Sequence, residues 1–127
     1  MHEVMPATLD SVGLARRTVT SFASDLEVDH DGIALAVTEA VANAIAHGYP
    51  HGGAGVVELS AGVSPFVLTV TVRDHGRGLS NGGSSHGAGF GLTIIRRIAQ
   101  HVEMTETDDG VSLTMAFRRG GAWSTAD

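Results

Sequence analysis

The chain has 127 residues, enough for one hydrophobic core and too few for two, and a hydrophobic share of 43% against 17% charged residues excludes a disordered chain. The net charge is −6, all eight basic residues are arginines, and there is no lysine or cysteine. This excludes a disulfide framework, a thiolate metal site, a broad basic surface for nucleic acid and the lysine-bearing GxxxxGK(S/T) phosphate loop. MHEVMPATLD lacks a signal-peptide pattern and no 18 apolar residues run together, so the expectation is a cytoplasmic protein that does not span a membrane.

Residues 1–8 carry no pattern and are expected to be frayed. A first helix should begin after a cap at Asp10 or Ser11, because Val12, Ala15, Val19, Phe22 and Leu26 recur at helical spacing. A second helix is expected from about Asp31 to His47, stopped by Gly48 and Pro50. It carries Glu39, Asn43 and His47 at i, i+4 and i+8 among residues so apolar that it should be covered nearly all round, so this polar row must line something. Two alternating runs, 55–63 and 66–74, joined at Ser64-Pro65, read as an antiparallel hairpin. In the second, Phe66, Leu68, Val70 and Val72 share a face, and Asp74 is in phase with them.

The stretch 75–91, HGRGLSNGGSSHGAGFG, is too glycine-rich and polar to pack, and such a segment in a compact domain is more often functional than accidental. A third helix follows in LTIIRRIAQHV, with Leu92, Ile95 and Ile98 or Ala99 as its apolar side. A closing hairpin then turns at Asp108-Asp109-Gly110, with Val111, Leu113, Met115 and Phe117 on one face. Residues 119–127, including Trp123, are expected to fray. The irregular alternation of strands and helices predicts one α+β domain over 1–127: a two-layer sandwich, its sheet mixed but mostly antiparallel, with helices on one face.

A carboxylate on the core side of a strand end, Asp74, costs several kcal/mol unless donors reach it. In DHGRG, Gly76 and Gly78 let the backbone approach a flat ligand, while the acid accepts from an exocyclic amine such as that of adenine. GAGFG, with Gly87, Gly89 and Gly91, runs into the third helix, whose unpaired N–H groups and dipole form a phosphate cradle that needs no lysine. The oxygen of the Asn43 carboxamide suits Mg²⁺. GAGFG is not the GxGxxG fingerprint, which argues against a dinucleotide fold. His47 and His51 are separated by helix-ending Gly48 and Pro50, which argues against zinc.

These three stretches in this order resemble the boxes of the GHKL ATPase and kinase superfamily. TEAVANAIAHGYP, VRDHGRGL and GAGFGLTII look most like the anti-sigma-factor serine kinases of bacterial sporulation and stress control. The resemblance implies a Bergerat-type ATP-binding fold and the cofactors ATP and Mg²⁺. It gives Glu39 the part of base for a protein-serine hydroxyl, Asn43 that of Mg²⁺ ligand and Asp74 that of adenine reader. It draws the ATP pocket from Asn43, His47, Asp74, Gly76, Gly78, Gly87, Ala88, Gly89, Phe90, Gly91 and Leu92. It also implies an arginine in the first helix used for partner contact or phosphate chemistry, Arg16 by alignment with Arg17 the alternative, and so counts Arg16 with Glu39 as catalytic. The implied partners are a sigma factor and an anti-anti-sigma protein, with homodimerisation by analogy and no direct contact with nucleic acid. The lid departs from the family pattern, with SSHGAG where relatives often carry a basic or hydroxyl residue.

Two other functions compete: a nucleotide-gated binding regulator that phosphorylates nothing, and a detached ATP-binding part of a histidine kinase. The second is weakened because no helical hairpin bearing a phosphoacceptor histidine precedes the boxes in this sequence.

Overall fold

The computed structural model describes residues 1–76 and 89–120. Along the chain lie β1 (His2–Pro6), α1 (Asp10–Phe22), α2 (His30–Gly48), β2 (Val56–Val63), β3 (Val67–Asp74), α3 (Gly89–Ile98), β4 (His101–Thr107) and β5 (Gly110–Arg118). The five strands form one sheet in the order β1-β2-β3-β5-β4, and all four pairings are antiparallel.

The period of two decides which side of the sheet is covered. Leu68, Val70, Val72 and Asp74 of β3 are buried, and the intervening Thr69, Thr71 and Arg73 are half-exposed. On that outer face Thr71 and Thr114 meet across the β3–β5 ladder, hydroxyl to hydroxyl at 3.0 Å. Inward residues of β2, β3 and β5 join Ala15 and Val19 of α1, Ile33 and Val37 of α2 and Ile95 of α3 in one core. α2 packs against both other helices and against β2, β3 and β5, so it occupies the middle of the helical layer. The predicted two-layer α+β arrangement is therefore the observed one, with a sheet that is antiparallel throughout its described strands.

Several local expectations are corrected. Residues 2–6 are not frayed: they form an edge strand in which Met5 lies opposite Val57 and is buried, while the terminal ammonium of Met1 donates to the Ala61 carbonyl at 3.0 Å. An edge position tolerates Pro6, which has no N–H to offer the ladder. α1 starts at Asp10 with Leu9 as its N-cap and no side-chain cap. The Ser11 and Val12 N–H groups instead donate to the carbonyls of Thr8 and Leu9, at 3.0 and 3.1 Å. Phe66 falls outside β3 and is 70% exposed, and α2 is not covered all round, since Leu35 is 46% exposed. α3 begins at Gly89, so the last glycines belong to its first turn. Arg119 and Gly120 are tied down, their N–H groups donating to the carbonyls of Phe66 and Glu27. Trp123, and the loop residues Gly78, His86, Gly87 and Ala88, lie outside the described residues.

Candidate functional site

α2 holds its polar row between two well-defined ends. At the start Asp29 caps the helix, its Oδ1 accepting the Gly32 N–H at 2.9 Å. At the end Tyr49 terminates it, its N–H donating to the Ile45 carbonyl at 3.1 Å. Ile33, Ala36, Val37, Ala40 and Val41 are buried, which leaves Glu39, Asn43 and His47 half-buried at the margin of the core. Among the described residues one buried side-chain polar atom has no hydrogen-bond partner, and it is the Asn43 Nδ2. Such an orphan costs about 1–3 kcal/mol, so in a cavity wall it marks where a ligand supplies the missing partner.

Asp74 ends β3 opposite Val57 and is 3% exposed. Its Oδ1 accepts two backbone N–H groups, from Gly76 at 3.0 Å and from Val111 at 3.3 Å. Burial pushes the carboxyl above the ordinary aspartate value, and these two donors, which pull the other way, do not cancel it. Oδ2 accepts no hydrogen bond from the described residues. Among the described residues the acid therefore has an acceptor oxygen left.

The two groups face one narrow cavity. Asn43, His47 and Ala44 of α2, Val72 and Asp74 of β3, Leu92 of α3, Met104 of β4 and Val111 and Leu113 of β5 line it. Its volume is about 40 Å³, smaller than a purine, so a base would enter by moving side chains of the apolar walls. A wider, open and more polar cleft of about 880 Å³ lies beside it, lined by Tyr49, His51, Arg73, His75, Gly76, Asp108 and Asp109. Size favours the cleft. Chemistry favours the narrow cavity, because the buried acid and the orphaned amide are there and ligand recognition depends on such convergent polar groups.

Asn43, His47, Asp74 and Leu92, read from sequence as nucleotide contacts, are thus brought together, and Gly76 adjoins them through its N–H to Asp74. Gly89, Phe90 and Gly91 form the first turn of α3, just before Leu92. Glu39 sits one turn along α2 and does not line the cavity. Arg16 and Arg17 are exposed on α1 and are not in its wall either.

Sequence reasoning missed Val111, Met104 and Tyr49. The Tyr49 hydroxyl donates to the Val56 carbonyl at 2.7 Å and accepts the His75 N–H at 2.8 Å, joining the end of α2, the start of β2 and the residue after Asp74. No local signal marks these residues, since their partners are distant in the chain. On the outer face, Glu58 lies between His2, at 2.9 Å, and His75, and the two imidazoles hold its carboxyl below the usual range.

A helix-backed antiparallel sheet, with a buried strand-end acid and a carboxamide nitrogen that has no partner among the described residues on a common cavity, is an α+β ligand-binding arrangement suited to a base that presents an amine. Residues 5–117 match the family described as the histidine kinase-like ATPase domain, and the chain belongs to that family. It is 38% identical over 84 residues to the anti-sigma F factor of Anoxybacillus flavithermus, covering 64% of this chain and 58% of that protein. It is 44% identical over 78 residues to the anti-sigma F factor of Clostridium acetobutylicum, covering 59% and 54%. The chain thus spans a little over half the length of the curated relatives it matches. A solved structure of the RsbU and RsbW domains of a Mycobacterium tuberculosis protein superimposes with a TM-score of 0.66 over 94% of this chain and 32% of that one, at 22% identity, a likeness of fold.

Proposed function

We propose that this chain binds ATP in the Asn43–Asp74 cavity and acts as a cytoplasmic anti-sigma factor and protein-serine kinase, sequestering a sigma factor and phosphorylating an anti-anti-sigma protein. The observation that carries nucleotide binding is the buried Asp74, with Oδ1 committed to backbone and Oδ2 without a donor among the described residues, on the cavity wall to which Asn43, its Nδ2 likewise unpartnered among them, also belongs. The similarity to two anti-sigma F factors supports the choice of partner proteins.

In this assignment the Asp74 Oδ2 accepts the exocyclic amine of adenine, and Val72, Leu92 and Leu113 supply apolar surface to the base. The phosphates lie toward the first turn of α3, where the N–H groups of a helix start and the helix dipole stabilise negative charge without lysine. The Asn43 residue fits Mg²⁺, because a carboxamide offers one neutral oxygen and the ion takes its remaining ligands from water and phosphate. When bound, the ion would neutralise charge on the phosphates. The Asn43 Nδ2, without a partner among the described residues, would donate to a phosphate oxygen. Glu39 then takes the proton of the incoming serine hydroxyl as that oxygen forms its bond to the terminal phosphorus and ADP leaves. Arg16, or Arg17 beside it, is exposed on α1 and is assigned to partner contact.

A specific observation also favours a nucleotide-gated binding regulator: Glu39 does not line the cavity that holds Asn43 and Asp74. A single-turnover phosphotransfer assay with candidate anti-anti-sigma proteins, run beside a binding titration, separates the two. Glu39→Gln should lower transfer by about 10²-fold or more while leaving ATP and partner binding intact. Unchanged transfer removes Glu39 from the chemistry, and no transfer by the wild type leaves the binding regulator.

A further inference from the structure

Gly48, the last residue of α2, is buried against Asp74. A Cβ at this position would lie 2.7 Å from the Asp74 Cγ, 2.9 Å from its Cβ and 3.0 Å from its Oδ1. A Cβ on Gly76, whose N–H is one of the two donors to Oδ1, would in turn run into the Gly48 carbonyl. The glycine is not there for backbone freedom. Among the described residues, positive φ occurs at Gly52, Gly53, Gly110 and Gly120 and not at Gly48, and in a helical backbone alanine is ordinarily preferred. What glycine supplies is room for the acid.

Gly110 also packs closely on this residue, because a Cβ there would run into the Asp74 backbone carbonyl and lie 3.0 Å from Oδ1. Between these two glycines the carboxylate is held with Oδ1 toward the N–H groups of Gly76 and Val111. We infer that Gly48 is the positioning residue that fixes the Asp74 carboxylate, and through it the preference for a base that presents an amine over one that presents a carbonyl. The inference rests on Asp74 reading adenine, as proposed above. A methyl at 48 forces the carboxylate to turn, which breaks its backbone bonds and moves Oδ2 from where the amine needs it. The fold survives, since the carboxylate rotates away from the methyl, a small backbone shift relieves the contact with the Asp74 Cβ, and the helix accepts alanine.

The test is a double-mutant cycle of Gly48→Ala and Asp74→Ala, read in ligand-free unfolding and in binding of ATP and GTP. Gly48→Ala alone should weaken ATP binding about tenfold or more and bring the ATP/GTP ratio toward one, the size expected for losing a hydrogen bond to a charged group. In the Asp74→Ala background, which removes Cγ and both oxygens but keeps the Cβ at 2.9 Å, it should do neither, and its effect on the unfolding midpoint should shrink. Unchanged ATP affinity and selectivity in Gly48→Ala, or effects that persist undiminished in the Asp74→Ala background, overturn the inference. If the wild type binds neither nucleotide, ATP binding itself is refuted. The unfolding data alone then decide: coupling upholds Gly48 as the residue that sets Asp74, and additivity overturns it.

Discussion

Asp74 concentrates the chemistry of the cavity in one carboxylate. Asp74→Asn should weaken adenine-nucleotide binding by about 1.5–3 kcal/mol, the range for a hydrogen bond to a charged group, and should erode discrimination between ATP and GTP in calorimetric titration. Equal wild-type affinity for both nucleotides would remove Asp74 as the base reader. Its raised carboxyl also makes a signed pH prediction. The folded state holds the Asp74 proton to higher pH than the unfolded chain, so the stability from this group is full below the ordinary value of 3.8 and is lost as pH rises through the folded value. Urea unfolding of the wild type and Asp74→Asn over about pH 3 to 7 should show the wild type gaining on the variant as pH falls through that window. Parallel profiles contradict the raised value. At this scale the sequence was informative: strand phase placed Asp74 inward, and the i, i+4 row placed Asn43 and His47 with it. Gly48 was legible only as a helix stop, because its second task depends on a residue 26 positions away in the chain.

Among the elements, α2 was the most legible, since a long apolar helix with a polar row leaves few alternatives, and the structure ends it within a residue of the expected boundaries. β1 was the least legible. Five residues containing a proline look the same in sequence whether they fray or pair, and the outcome is decided by the free edge of β2 and the apolar contact of Met5. Met5→Ala should therefore cost about 2–5 kcal/mol in urea unfolding, as for other buried large-to-small changes. A cost near zero would mean that the strand is peripheral to the folding unit. Val4, 55% exposed on the same strand, is the internal control, and its replacement by alanine should change stability by about 0.5 kcal/mol or less.

At the scale of the whole molecule, the cavity wall draws on α2, α3 and three strands, so a nucleotide that fills it ties both layers together. ATP at about 100 times its Kd should add about 2.7 kcal/mol of stability. Scanning calorimetry should register this as an upward shift of several degrees, larger for ATP than for GTP. The absence of any shift would contradict nucleotide binding in this cavity. What the sequence alone determined was local in origin: the helical and strand periods, the glycine stretches, the inward phase of Asp74, and the order of boxes that resembles the family to which the chain belongs. The tertiary structure decided that β1 pairs, that α3 reaches back to Gly89, that the Val111 N–H meets Asp74 from the last strand, and that Tyr49 and Gly48 hold the end of α2 against the acid. The physical reason is that periodicity reports which face of an element is apolar. Hydrogen bonds and excluded volume between residues far apart in the chain exist only once those faces have packed.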